Sequence, residues 1–222
     1  ASRYEADTEA GLSHFLEHML FKGASRRPTA KAISEAIESV GGMHNAGTDR
    51  ELTVYYAKVP DWAAMETIDI LADMVRAPEM DPEELEKERS VILEELASIE
   101  DSPAELVAIL ADETLWPDQP LGRNIGGTTE TAQGLSLSAI AGYFRSQYVP
   151  SNMVLAVAGN LEHEAVVEAA DRWLGSMSDG VPDAWHKVAP RDGRARVAVR
   201  KKATEQAHVC LTYPALPLGH AD

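Results

Sequence analysis

The chain has 222 residues, of which 45% are hydrophobic, so it can bury a sizeable core and is not disordered along most of its length. Its 36 acidic and 20 basic side chains give a formal net charge of −16. Such a surface repels phosphate backbones and anionic membranes, so we expect no nucleic-acid partner. Cationic partners are favoured, although acidity also serves simply to keep a protein soluble. The single cysteine excludes an internal disulfide, and no apolar run is long enough to span a bilayer.

The first half of the chain is predicted to form helices around two extended segments. N-terminal helix signals are found at Thr29, at Asp61 and at the pair Asp81-Pro82. The last signal opens a long acidic helix that should run to about Ile99. The predicted helices cover residues 8–23, 30–40, 61–76 and 82–99, and the extended segments cover 43–47 and 52–59.

The second half continues the alternation of helices and strands. Helices are predicted at 102–115, 136–147 and 161–174, strands at 152–158, 195–200 and 207–213, and loops at 116–131 and 176–194. This order predicts an α/β fold of the α+β type, in which several helices pack a mixed sheet. The chain opens without an initiator Met and ends directly after a strand-like run, so we expect both ends to be cut from a longer protein.

The segment His14-Phe15-Leu16-Glu17-His18 has the spacing of a metal site. Residues four apart lie on one face of a helix, so His14 and His18 could bind one ion from consecutive turns. Glu17 is three residues from His14 and reaches the same face. Two neutral imidazoles suit zinc, and a third, anionic ligand would leave a fourth position for water. Zinc lowers the pKa of such a water, and Glu17 is the candidate base for its proton.

The long acidic helix is expected to supply the third ligand. Glu88 and Glu95 are seven residues apart and share one face, with Val91 and Ile92 between them on roughly that side. Inward-facing carboxylates among apolar residues are costly unless they meet a cation. Glu94 points about 100° away from Glu95, into solvent. An acid-rich helix is also common as a solvated face, so charge alone does not select the ligand.

The run from Gly11 to Gly23 (GLSHFLEHMLFKG) resembles the zinc helix of the M16 peptidases, or inverzincins. That family includes pitrilysin, insulin-degrading enzyme and the mitochondrial processing peptidase, and the resemblance is closest to the processing-peptidase-like branch. The family carries its third ligand about 77 positions after the second histidine. The resemblance therefore implies zinc on His14, His18 and Glu95, one ion per chain. It also implies that Glu88, seven residues before that ligand, assists catalysis.

The segment 44–58 resembles the active-site edge strand of the same family. An Asn of that strand, which corresponds to Asn45, helps to hold the substrate near the metal. The resemblance thus implies a substrate-binding set of Asn45, Ala46 and Thr48. Residues 120–124 and 148–159 also resemble the family, so the similarity covers essentially the whole chain.

The family context implies a zinc-dependent endopeptidase that cleaves unfolded or extended peptides. Residues 1–222 would form the N-terminal catalytic half of the two-domain M16 architecture, with the first strand and the C-terminal half absent. The second half, in the same chain or as a separate subunit, supplies an Arg and a Tyr to the substrate, so the isolated half could be inactive. The acidic balance of the chain favours basic peptides.

The alternative is a catalytically silent structural or partner subunit of the same family. Such members usually have a damaged HxxEH motif, whereas the motif is complete here. A metal-binding module without hydrolysis is a second alternative, which the presence of Glu17 argues against. The bacterial cytoplasm is the expected location, and an organelle matrix is the alternative if a targeting segment preceded Ala1.

Overall fold

The computed structural model of the chain describes residues 1–189, 193–203, 205–217 and 219–220. Residues 190–192 of the predicted 176–194 loop therefore lie outside the described residues. In the described part, α-helices surround one small sheet. The elements are α1 Leu12–Leu20, α2 Ala30–Glu38, β1 Met43–Thr48, β2 Thr53–Lys58, α3 Ala64–Arg76, α4 Pro82–Asp101, α5 Pro103–Leu115, α6 Thr129–Gly134, α7 Leu137–Gln147 and α8 His163–Leu174.

Local signals in the sequence determine where most helices begin. The Thr29 hydroxyl accepts a hydrogen bond from the Ala32 amide at 3.1 Å and caps α2. Asp81 caps α4 in the same way, with Pro82 at the first helical position. The predicted helix at 8–23 is shorter than expected. It begins at Leu12 because Gly11 has a left-handed backbone, with φ of 94°.

Two groups of apolar side chains form the core. The larger group joins α1 to α4 and to the region of α6 and α7, and α1 is its centre. The smaller group lies between α2 and α3, against β2. Fully burying a large apolar side chain contributes about 1.5–3 kcal/mol, so the helix that carries the HxxEH motif is firmly held. The buried apolar residues of α1 are Leu12, Phe15, Leu16, Met19 and Leu20.

The sheet is smaller than the sequence predicts. In the described residues it consists of β1 and β2 in antiparallel pairing, with Asn45 opposite Tyr56. The α+β class is confirmed, but the predicted mixed sheet is two-stranded here. Residues 152–158, 195–200 and 207–213 have apolar residues typical of strands, yet they form no strand in the described part of the chain. A β-strand forms only where a neighbouring strand offers partners for its backbone N–H and C=O groups. The sequence pattern describes the side chains alone and does not show whether such a neighbour exists.

Arg89 fixes α4 against the end of α6. Its guanidinium donates hydrogen bonds to the carbonyl oxygens of Ala132, of Gln133 at 3.2 Å and of Leu135 at 2.8 Å. These carbonyls lie at the end of α6, where helical partners run out. The contact holds α4 in position one residue after Glu88.

An ion cluster around one buried carboxylate fixes the segment that follows α1. Asp73 of α3 has a side chain with 0% exposure. It accepts hydrogen bonds from the Arg26 amide at 3.0 Å and from the Arg27 guanidinium at 3.5 Å. Asp69, one turn earlier, pairs with both arginines. The cluster thus ties the end of the α1 segment to α3. None of the helices in the described residues combines the length and the apolar run needed to cross a bilayer.

Candidate metal centre

Two histidines on α1 form the centre of the site. His14 and His18 lie one turn apart, and their Nε2 atoms are 3.2 Å from each other. The buried side chains of α1 occupy the opposite face of the helix. Core packing therefore determines the direction in which both imidazoles point.

The third carboxylate comes from α4. Glu95 Oε2 lies 3.6 Å from His14 Nε2 and 3.8 Å from His18 Nε2. Ile92 and Leu96, on the same helix, are buried in the core group that contains α1, so packing sets the distance between the two helices. Glu94 is exposed to solvent, as predicted from helix geometry. The Glu95 side chain is itself 45% exposed, so of the two carboxylates expected to face inward only Glu88 is buried.

The spacing and chemistry of these three groups fit zinc. The three ligand atoms all lie within 4.8 Å of one another. Tetrahedral ligands at zinc distances of about 2.0–2.2 Å would be about 3.3–3.6 Å apart, close to the separations measured here. Burial and then the charge of His18 lower the pKa of His14 to about 4, so His14 is neutral near pH 7. Two imidazoles and one carboxylate are a donor set that leaves a fourth position open.

Glu88 supports His18 from behind. Its Oε2 lies 3.0 Å from His18 Nδ1, and its Oε1 lies 2.6 Å from Lys22 Nζ. The carboxylate is buried, with 5% exposure. Because a carboxylate only accepts, Nδ1 donates to Glu88, and Nε2 is the ring nitrogen left for a metal. Glu88 therefore selects the tautomer of His18 that can bind a metal.

Glu17 lies beside this group on α1, with 9% exposure. Its Oε2 accepts a hydrogen bond from the Thr48 hydroxyl of β1. Burial raises the pKa of Glu17 and the charge of Glu95 adds to the rise, whereas the Thr48 hydrogen bond and His18 oppose it. A raised pKa makes the carboxylate of Glu17 a stronger base towards a nearby proton.

The β1–β2 hairpin places the three predicted substrate residues on different faces. Along β1, Ala46 and Thr48 are half-buried, whereas Asn45 is exposed. Asn45 Oδ1 accepts a hydrogen bond from the Ala46 amide at 2.9 Å. In the described part of the chain β1 pairs with β2 alone, so its other edge has no strand partner.

Replacing Thr48 by valine tests which role this hydroxyl has. We expect kcat to fall by about tenfold with little change in KM, because a hydrogen bond to a charged group contributes about 1.5 kcal/mol or more. Both constants are measured by steady-state assay of the full-length protein with an extended peptide, the substrate class that the resemblance implies. Thr53→Val is the matched control, since Thr53 contacts Thr48 at 3.2 Å. A raised KM with unchanged kcat would assign Thr48 to substrate binding instead, as the sequence predicts.

Two contacts of the site were missed by the sequence analysis. Lys22 pairs with Glu88, and its position four residues after His18 is the one signal that could have placed it near the site. The contact between Thr48 and Glu17 joins residues 31 positions apart and has no local signal. Both contacts depend on how the elements pack.

The sequence model of insulinase, peptidase family M16, matches residues 1–129 of the chain. The chain belongs to peptidase family M16. The predicted resemblance to the M16 peptidases is thereby confirmed. The helices α1 and α4 and the β1–β2 hairpin all lie inside the matched range. A second M16 model, that of the peptidase M16 inactive domain, matches residues 134–222.

Individual M16 proteins are similar along most of the chain. An uncharacterised zinc protease of Bacillus subtilis is 38% identical over 220 residues, which cover 99% of this chain and 53% of that protein. A probable mitochondrial-processing peptidase subunit beta of Arabidopsis thaliana is 39% identical over 177 residues, which cover 80% of this chain and 33% of that protein. The chain thus spans about half the length of the first relative and a third of the second.

The crystal structure of pitrilysin has the same fold as this chain. The two superpose with a TM-score of 0.75 and 26% sequence identity, over 85% of this chain and 21% of pitrilysin. The described helices and hairpin therefore correspond to part of an M16 peptidase, which confirms the predicted architecture.

Proposed function

We propose that this M16 chain is the catalytic half of a zinc-dependent endopeptidase that hydrolyses extended peptides. The observation that carries the proposal is the convergence of His14, His18 and Glu95 within 4.8 Å, on two helices held by one core. The name of the Bacillus subtilis relative, a zinc protease, supports the choice of metal. The complete HxxEH motif supports catalysis over a silent subunit role.

In this proposal each site residue has a separate role in peptide hydrolysis. His14, His18 and Glu95 hold zinc, which when bound polarises a peptide carbonyl and makes water more acidic. Glu17 takes the proton of the attacking water and delivers it to the leaving amine. Glu88 accepts a hydrogen bond from His18 Nδ1, which orients the imidazole and leaves its Nε2 available for the metal.

The substrate would add as a strand to the unpaired edge of β1. Backbone hydrogen bonds give affinity for any extended peptide, with Asn45 and Ala46 at the contact edge. Such binding requires an unfolded segment and depends little on sequence. The net charge of −16 favours basic peptides.

Residues 1–222 are proposed to work as one N-terminal half, together with a second M16 half. Because the chain spans about half the length of its Bacillus subtilis relative, that partner would be in the same chain or in a separate subunit. One relative is a bacterial protein, and another is named as a mitochondrial protein. We propose the bacterial cytoplasm as the location, with an organelle matrix as the alternative.

The metal content of the purified protein tests this proposal. We expect one zinc per chain, and we expect His18→Ala to lose affinity by more than the roughly 10–100-fold that supporting residues cost. Zinc is measured by mass spectrometry and by competition with a chelator. His163→Ala, at an exposed histidine of α8, is the matched control and should keep its zinc.

Zinc-free wild-type protein at saturating zinc would contradict the proposal. Zinc binding without peptide cleavage by the full-length protein would favour the silent subunit of the same family. The first result concerns the ligand group and the second concerns the chemistry, so the two failures are distinguishable.

A further inference from the structure

The N-terminus of α1 lacks a cap from its own sequence. Its N-cap residue is Gly11, which has φ of 94° and no side chain to accept a hydrogen bond. The first amides of a helix have no intrahelical partner and must find acceptors elsewhere. This first turn leads directly into His14, so its conformation determines the position of the His14 side chain.

Glu5 supplies the missing acceptors. Its Oε2 accepts from the Gly11 amide at 2.9 Å and its Oε1 accepts from the Ser13 amide at 2.7 Å. Both carboxylate oxygens are thus committed to the first turn of α1. A carboxylate at a helix N-terminus also interacts favourably with the helix dipole.

The surroundings prevent water from taking over this role. Glu5 has 1% exposure, so bulk solvent does not reach the turn. The Ser13 hydroxyl donates to the Tyr143 hydroxyl at 2.9 Å, which closes the other side. Burial raises the pKa of Glu5, and the hydrogen bonds from Ser13 and Gly11 oppose that rise.

The backbone of the turn has little room to move. A Cβ atom added to Gly11 would lie 2.5 Å from the Gly126 carbonyl oxygen, and one on Gly127 would lie 2.2 Å from the Ala10 carbonyl oxygen. The two glycine-containing segments therefore touch backbone to backbone. A cap lost at this point cannot be replaced by an easy rearrangement.

We propose that Glu5 is a positioning residue for the metal centre, because it caps the turn that aims His14 at the ligand group. It touches neither metal nor substrate and acts through the amides of Gly11 and Ser13. The inference rests on the proposed zinc site and adds to it a residue outside the HxxEH motif.

The test compares Glu5→Gln with Thr29→Ala in the full-length protein. Glutamine keeps the shape of the side chain but can accept through one oxygen, so one amide loses its partner. We expect zinc affinity, measured by chelator competition, to weaken by about tenfold. Amide hydrogen exchange at Gly11 and Ser13 should become faster. Thr29→Ala removes the cap of α2, which carries no ligand, and should leave the zinc dissociation constant within about twofold.

A residue that only stabilises the fold would give a different result. The melting temperature would fall, but the zinc affinity of the folded protein would equal that of wild type, and this outcome would overturn the proposal. If Glu5→Gln does not fold, Glu5→Asp replaces it. Aspartate has a shorter side chain, so its carboxylate cannot reach the Gly11 and Ser13 amides in the same way. Faster exchange of these amides together with an unchanged zinc affinity in that variant would overturn the proposal equally.

Failure of the zinc site itself would be visible in the same data. A wild-type protein that does not bind zinc would contradict the proposed function. The amide exchange of Gly11 and Ser13 in the zinc-free protein would then decide the role of Glu5. Faster exchange in Glu5→Gln supports it as the cap of α1, and unchanged exchange excludes it.

Discussion

Glu17→Gln is expected to bind zinc as tightly as wild type and to cleave peptides at least about 100-fold more slowly. Glutamine keeps the size of the side chain and can still accept the hydrogen bond from Thr48. It cannot take up a proton, so the attacking water keeps its own. Glu17 does not belong to the group of candidate ligands formed by His14, His18 and Glu95, so the variant should still bind the metal.

Peptide cleavage and zinc content are both measured on the full-length protein. Glu94→Gln is the matched control, because it makes the same chemical change at an exposed carboxylate beside the proposed ligand Glu95. Retained turnover in Glu17→Gln would remove Glu17 from the role of base. Loss of zinc together with turnover would show that Glu17 helps to hold the metal.

Asp73→Ala is expected to lower the free energy of unfolding by about 1.5–3 kcal/mol, because it removes a buried carboxylate that accepts charge-assisted hydrogen bonds from Arg26 and Arg27. Asp73 has no solvent exposure and contacts Arg26 and Arg27, whose side chains are 36% and 15% exposed. Asp69 retains part of the compensation, so the lower end of the range is more consistent with the structure. The segment after α1 would lose its attachment to α3.

Urea denaturation followed by circular dichroism measures this change. Glu35→Ala is the control, since Glu35 pairs with Lys31 on the surface of α2, where both side chains are at least 66% exposed. A surface pair of this kind contributes less than about 0.5 kcal/mol. A loss below about 1 kcal/mol in Asp73→Ala would mean that water or Asp69 satisfies both arginines.

The helices could be predicted because their signals are local. Thr29 and Asp81 cap the helices that follow them, since an N-cap depends only on the next three residues. The spacing of His14 and His18 predicts their shared face for the same reason. Glu95 needed the family resemblance, because charge pattern alone did not separate it from its neighbours on α4.

The parts that could not be predicted depend on how the chain folds back on itself and not on local signals. Glu5 meets Ser13 because the intervening residues, with a short 3-10 turn at Asp7–Glu9, lead back to α1. Thr48 meets Glu17 because the hairpin packs on α1. The residues 195–200 and 207–213 have a strand pattern without strand pairing, since alternation of side chains does not specify a neighbour.

The two helices of the metal centre meet in two separate ways, and this couples chemistry to folding. Ile92 and Leu96 pack α4 into the core beside α1, and a few ångströms away the ligands of both helices face one another. An ion held there would cross-link the same two helices that the core joins. By thermodynamic reciprocity, a change that loosened the Ile92 contact would weaken binding of that ion, and a bound ion would stabilise the contact. The metal content proposed for this site would therefore also report how well α1 and α4 pack against each other.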